Sequence, residues 1–343
     1  MESLSSQTST LIDVLSKAME KGATDIHIGE LESIYMRIDN ELLKQDDMHG
    51  SYQIFLDIAS QCGIKLIEKQ SYDAAFTYKD TRIRVHLYRS NGHWSATLRI
   101  LYNRTIGFER DRQADLFRSI CTTKDGLVLI TGPTSSGKTF TLASCVSYIN
   151  EHMNRHIVTL EDPIEYIFTN KCSLIHQREL GKDIQSMSTG VRDALREDPD
   201  IIMIGELRDS STLEAALHAA ETGHLVFATM HTQRATMAIN RMLSMFSSEQ
   251  QEEMRHQLSQ VLRVIICQRL FVFDGKFITA RDILINTPAV ANLIRQRKEP
   301  QICSIQETTY PMQTMEMAVK ELQKTWGARS EFTALLGYCY ETI

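Results

Sequence analysis

The sequence predicts an α/β protein of two parts: a small α+β domain, followed by a larger domain built on a parallel sheet with helices on both faces. Three observations carry that prediction. Short alternating apolar runs crowd the first hundred residues. From about residue 113, continuous apolar runs alternate with helical patterns, the order expected of strands buried on both faces. The run Leu127-Val-Leu-Ile-Thr131 then leads directly into Gly132-Pro-Thr-Ser-Ser-Gly-Lys-Thr139. That octet fits G-x-x-x-x-G-K-[ST], a phosphate-binding loop between a buried strand and a helix.

Composition bounds the rest. A chain of 343 residues has room for two cores, and 43% hydrophobic with 23% charged residues describes a globular protein. The formal net charge of -6 offers no basic field, so no direct nucleic-acid contact is expected. No apolar run approaches the roughly 18 residues of a membrane span, and the first residues lack the basic and apolar regions of a signal peptide. Cys62, Cys121, Cys145, Cys172, Cys267, Cys303 and Cys339 are scattered without a C-x-x-C pair, as expected of reduced thiols in the cytoplasm.

Taken in order, Leu11, Ile12, Leu15, Ala18 and Met19 form a one-sided stripe, which predicts a helix over 8–20 ending at Gly22. Strands follow at 25–28 and 34–38, with Asp39-Asn40 turning into another. A helix over 51–62 stops at Gly63, and strands return at 74–78, 81–87 and 94–100. Residues 1–100 therefore form the first domain. Residues 101–112, charged and without periodicity, read as a linker, and 113–343 form the second domain. In that domain strands are expected at 127–131, 156–160, 200–204 and 224–229, with helices between them. A helix near 250–266 (Met254, Leu258, Val261, Leu262, Ile265), a hairpin of 270–274 and 277–284 around Gly275, and a helix over 312–326 complete the chain. Met237, Met242, Met245 and Met254 read as core packing.

The chemistry gathers where predicted strands end, which is where open α/β sheets bind ligands. Backbone N–H groups of Gly132, Pro133 excepted, through Thr134, Ser135, Ser136 and Gly137 cradle a polyphosphate, Lys138 reaches its outer phosphates, and the Thr139 hydroxyl ligates Mg²⁺. Phe140 opens the helix behind them. Glu161 closes one strand before Asp162-Pro163. Glu206 closes another after Asp200-Ile-Ile-Met-Ile-Gly205, the layout in which a carboxylate supports the metal shell. Gly223-His-Leu-Val-Phe-Ala-Thr-Met-His231 is a third strand with polar residues beyond it. In 81–87, Arg82 and Arg84 share one side of a strand while Ile83, Val85 and Leu87 take the other.

These blocks resemble the secretion ATPase superfamily. Glu161-Asp-Pro-Ile-Glu165 is similar to its Asp box, the block around Ala194-Leu-Arg-Glu-Asp-Pro-Asp200 to Glu206-Leu-Arg-Asp209 to its Walker B segment, and Ala220-Glu-Thr-Gly-His224 to Thr232 to its His box. Gly22-Ala-Thr-Asp-Ile-His27, Gln177-Arg-Glu179 and Thr287-Pro-Ala-Val-Ala-Asn-Leu-Ile-Arg295 further resemble the PilT-like type IV pilus retraction ATPases. The resemblance implies a RecA-like P-loop ATPase domain preceded by a smaller PAS-like domain, assembled as a homohexamer that binds ATP and Mg²⁺ at subunit interfaces. It implies Glu161 as general base, Glu206 as metal support, His224 and His231 as sensors of the γ-phosphate, and Arg82, Arg84 and Arg99 as neutralisers of transition-state charge. Its partners would be an inner-membrane pilus platform protein and, through that, pilin. The place of work would be cytoplasmic, peripheral to the inner membrane. Related assembly or secretion motors, or a weakly hydrolysing accessory subunit, share the same motor motifs. Three departures stand out: Ser135 where the family loop has glycine, Thr139 for serine, and Ala291 in place of an arginine associated with retraction. The tetracysteine module of assembly ATPases is absent from the sequence, which favours retraction.

Overall fold

A computed structural model describes residues 9–39, 41–66, 70–102, 106–273, 275–327 and 329–332. Asn40, Asp274, Cys339 and linker residues 103–105 lie outside them. The chain separates into two compact units, one of residues 1–105 with 162–167, the other of 106–161 with 168–343.

In the first unit α1 (Leu11–Glu20) begins at Thr10, whose hydroxyl accepts from the Asp13 amide while the Asp13 carboxylate accepts from the Thr10 amide. This reciprocal cap satisfies two donors that a helix start leaves unpaired. Leu11, Val14, Leu15 and Ala18 face inward, and Ile12 is exposed instead, one position off the stripe. Strands β1 (Asp25–Gly29), β2 (Ser33–Ile38) and β3 (Glu41–His49) precede α2 (Tyr52–Cys62), which stops at Gly63 with φ 65. Then come β4 (Ser71–Tyr78), β5 (Thr81–Ser90) and β6 (His93–Leu101). They make one antiparallel six-stranded sheet in the order β3-β2-β1-β6-β5-β4. Period-two alternation holds: Ile83, Val85 and Leu87 are buried with Ile26, Phe55 and Trp94, while Arg82, Arg84 and His86 take the other face.

The second unit holds α3 (Ala114–Cys121), β7 (Gly126–Thr131), α4 (Lys138–His152), β8 (His156–Glu161), β9 (Leu174–Glu179), α5 (Met187–Ala194), β10 (Ile201–Ile204), α6 (Ser210–Glu221), β11 (Leu225–Met230), α7 (Ala235–Leu243) and α8 (Gln251–Val261). It ends with β12 (Leu262–Phe273), β13 (Lys276–Ile285), α9 (Pro288–Arg295), α10 (Ile302–Thr308) and α11 (Met315–Trp326). The seven-stranded sheet runs β13-β12-β7-β11-β10-β8-β9, parallel except at β13. Consecutive residues of β7 serve two cores. Leu127 and Leu129 pack with α6, and Val128 and Ile130 pack with α3 and α4. Burial on both faces is why this strand carries an unbroken apolar run.

Three expectations fail. Leu262 and Ile265 belong to β12, so α8 ends at Val261 and the hairpin strand is longer than its predicted 270–274. The β-branched run there satisfies helical and strand spacing alike, and pairing with β7 decides it. Strand β9 has no counterpart among the predicted strands, because an edge strand of sequence Leu-Ile-His-Gln-Arg-Glu lacks the apolar run that marks a central one. Met242 is buried and Met245 and Met254 pack partly against the core, whereas Met237 is 42% exposed.

Candidate functional site

The loop residues 132–137 join β7 to α4 through two positive-φ glycines, Gly132 (143°) and Gly137 (84°). A Cβ on Gly132 would stand 2.3 Å from the Gln268 carbonyl oxygen, so no other residue fits. Ser135, the serine that stands where the family loop has glycine, has φ 63, in the left-handed region. Serine carries a strain there that glycine avoids. Thr134 and Ser135 are exposed, Ser136 is buried, and Pro133, Thr139 and Phe140 are half-buried. Lys138 is the first residue of α4, and its ammonium donates to the carbonyls of Gly132 and Pro133, both at 2.9 Å.

Strand order brings His231 to this lysine. Strand β11 lies directly beside β7 with Met230 opposite Thr131, so the residue after the strand emerges beside the loop. Its Nδ1 lies 3.4 Å from Lys138 Nζ, and its Nε2 lies 3.4 Å from Glu206 Oε1. A neutral ring with its proton on Nε2 satisfies both neighbours at once. Glu206 follows β10, the next strand, and also accepts from Arg208 Nε at 2.9 Å. Asp209 in the same block is a helix cap: its carboxylate accepts from the Thr212 amide at 2.8 Å and starts α6.

Glu161 ends β8, the strand beyond β10, and is 4% exposed. Its Oε1 accepts from the Thr159 hydroxyl at 2.7 Å and from Gln177 Nε2 at 3.0 Å. Gln177, on the unforeseen β9, also accepts from the Phe168 amide at 2.9 Å, which locks its amide. A carboxylate held this way keeps one orientation at the end of its strand.

His224 does not join them. It precedes β11 and its carbonyl accepts from the Gly126 amide at the start of β7, at the opposite end of the sheet from the loop. The six residues of β11 separate it from His231 by about 20 Å at ~3.3 Å per residue. Its ring is turned to the Ala219 carbonyl (3.0 Å) and the Thr222 hydroxyl (3.2 Å), so pairing it with His231 at one phosphate is corrected. The arginines of the first unit are locally engaged: Arg82 Nε donates to the Ile164 carbonyl at 2.9 Å, Arg84 pairs with Glu165 at 3.1 Å, and Arg99 pairs with Asp25 at 2.8 Å.

Residues beyond the motifs support the loops. Gln268 of β12, fully buried, donates from Nε2 to the Ser136 carbonyl at 2.7 Å. Asp282 of β13 accepts from the Ala235 amide at 3.0 Å, capping α7 just after His231, and from Gln306 Nε2 at 2.7 Å. Burial pushes the Asp282 carboxyl up to about 6. Burial likewise pushes the neighbouring Cys267 thiol up to about 12, and that thiol donates to the Thr232 carbonyl. A polar residue inside an otherwise apolar strand was the available signal for Gln268 and Asp282. Among the described residues no three His, Cys, Asp or Glu side chains form a metal cage. The oxygen donors Thr139 and Glu206 still suit Mg²⁺, which takes few protein ligands beside phosphate.

A phosphate loop on the central strand of a parallel sheet, with a histidine and two acids at the ends of the next three strands, defines a P-loop nucleotide-hydrolysing domain. The chain belongs to the family described as type II/IV secretion system protein, which matches residues 2–325. The type IV pilus retractation ATPase PilT of Pseudomonas aeruginosa is 35% identical over 325 residues, 91% of this chain and 93% of its own. A twitching motility protein of Neisseria gonorrhoeae is 40% identical over 263 residues, 75% of this chain and 70% of its own. A crystal structure of the pilus retraction motor PilT with bound ADP superposes with TM-score 0.85 at 37% identity, covering 94% of this chain and 96% of that one. The fold is therefore that of a RecA-like secretion ATPase with a PAS-like first domain, and the chain is an ATP-hydrolysing enzyme. Among the described residues no helix is long and apolar enough to cross a membrane.

Proposed function

We propose that this chain is a Mg²⁺-dependent ATPase motor that works as a homohexamer to retract a type IV pilus. The observation that carries the reading is the chain of contacts Lys138–His231–Glu206 behind the phosphate loop, in a protein that matches a pilus retraction ATPase along most of both chains. Lys138 and the loop amides hold the outer phosphates, and His231 reports their presence to Glu206. Glu161 orients and deprotonates the attacking water. Mg²⁺, held by Thr139 and supported by Glu206, would supply charge neutralisation on the phosphates. Arg82, Arg84 and Arg99 would add positive charge at the transferring phosphoryl group, which requires each to leave its present partner. Release of the Arg84–Glu165 pair costs little, since a partly exposed ion pair is worth about 0–1 kcal/mol. The work would be delivered through an inner-membrane platform protein to pilin, from the cytoplasmic side.

A count of surface pili on cells lacking the gene, with surface motility scored alongside, tests the reading. Excess pili without motility is the expected result; bald cells would make the protein an assembly motor. A weakly hydrolysing accessory subunit is the second reading, favoured by the strained Ser135 of the loop. It also draws on Ala291, which lies buried on α9 where an arginine is associated with retraction.

A further inference from the structure

Strand β12 carries a residue that none of the nucleotide-binding motifs includes. Gln268 sits in the sequence Val264-Ile-Ile-Cys-Gln268 and is fully buried. An amide carried into the middle of a core strand is costly unless both its ends are paired. Both are. Nε2 donates to the Ser136 carbonyl at 2.7 Å, and Oε1 accepts from the Thr141 hydroxyl at 3.0 Å. The partners fix the amide's orientation, because a carbonyl only accepts and its NH₂ group must therefore face Ser136. The same residue closes the loop from a second side, since its main-chain oxygen is the atom that a Cβ on Gly132 would strike.

The phosphate loop explains what this arrangement does. A loop that binds an anion turns its amide N–H groups inward, so its carbonyls must turn outward and find donors elsewhere. The Ser136 carbonyl turns into the protein, away from water, and Gln268 is its donor. We propose that Gln268 is a positioning residue for nucleotide binding: its amide, braced on Thr141 of α4, holds the Ser136 peptide in the orientation that aims the following amides, those of Gly137 and Lys138, at phosphate. This rests on the reading of the loop as a nucleotide site. Since the brace shapes the loop alike for substrate and transition state, its loss weakens binding and raises KM while kcat is retained.

The test uses the full-length protein and ADP as the probe. Gln268→Met keeps volume and removes both hydrogen bonds. The expected result is a cooperative melt, an ADP Kd raised about tenfold or more, and kcat at saturating ATP within about threefold of the parent. Gln268→Glu adds a signature that packing alone does not produce. Its carboxylate repels the Ser136 carbonyl, but once protonated it donates as the amide does, so ADP affinity relative to the parent recovers as pH falls toward about 5.5. Should Gln268→Met fail to fold, Thr141→Val removes the brace from the helix side and is expected to weaken ADP in the same direction. Unchanged ADP affinity in the folded variants overturns the proposal while leaving the nucleotide site intact. A parent that binds ADP no better than Lys138→Ala overturns the site and the proposal together.

Discussion

In the six-stranded sheet charge is spread across a face, whereas in the seven-stranded sheet it is gathered along one edge. Arg84, Arg99, Asp25 and Arg37 are direct neighbours in register across β5, β6, β1 and β2, so the polar side of alternating strands forms a row. The parallel sheet has no such face, since helices cover both sides, and its motif residues gather where strands run out: Lys138, His231, Glu206 and Glu161. The difference follows from strand direction. Parallel strands end together at one edge, and a cofactor bound there meets one residue from each strand; antiparallel strands offer a surface instead. The edge should therefore behave as a unit in which single losses are severe, and the face as a set of separable contributions.

Lys138→Ala should have the largest effect, with ATP binding and hydrolysis both lost, as measured by nucleotide binding and phosphate release. Glu161→Gln should separate the two: binding survives while turnover falls by about 10²–10⁴. Retained turnover in that variant would remove Glu161 from the chemistry and break the edge as a unit. On the face, Arg82→Ala and Arg99→Ala are expected to lower turnover without abolishing ATP binding, and unchanged rates in both would leave that row a structural one.

Asp282 gives a pH dependence with a definite sign. Its carboxyl is raised from the usual carboxylate value to about 6 by burial, so the folded state holds a proton that the unfolded state has released. That contribution to stability is complete below the unfolded value near 4 and is lost as pH rises through about 6. The difference in melting temperature between the parent and Asp282→Asn should therefore shift against the parent as pH rises from about 4 to about 7. A constant difference would mean the carboxyl titrates normally. The smallest effect belongs to Ser135→Gly, which relieves a positive φ of 63°. It should tighten ADP by no more than about 1 kcal/mol, since the glycine also gains freedom in the unfolded chain.

Much of the edge was legible because its signals are local. A glycine-lysine pattern after an apolar run names the loop, and an acid closing each apolar strand marks Glu161 and Glu206. The His box was legible as a strand but not as a pair of histidines: His224 and His231 share a motif, yet the length of β11 puts them at opposite ends of the sheet. Sequence proximity hid that separation. Gln268 and Asp282 were missed, and Gln177 stood in a quoted motif without a role, for the converse reason. They hold motif residues from β9, β12 and β13, strands distant in sequence whose side-by-side order is a property of the closed sheet. The start of β12 was misplaced because an apolar run has no period of its own to separate strand from helix.

The most direct measurement is steady-state phosphate release by the purified full-length protein with Mg²⁺ and ATP, set beside Glu206→Ala. A motor built on this edge turns over ATP in the parent and loses that turnover in the variant. A parent that binds ATP but releases no phosphate would contradict the account and make the chain an accessory to another motor.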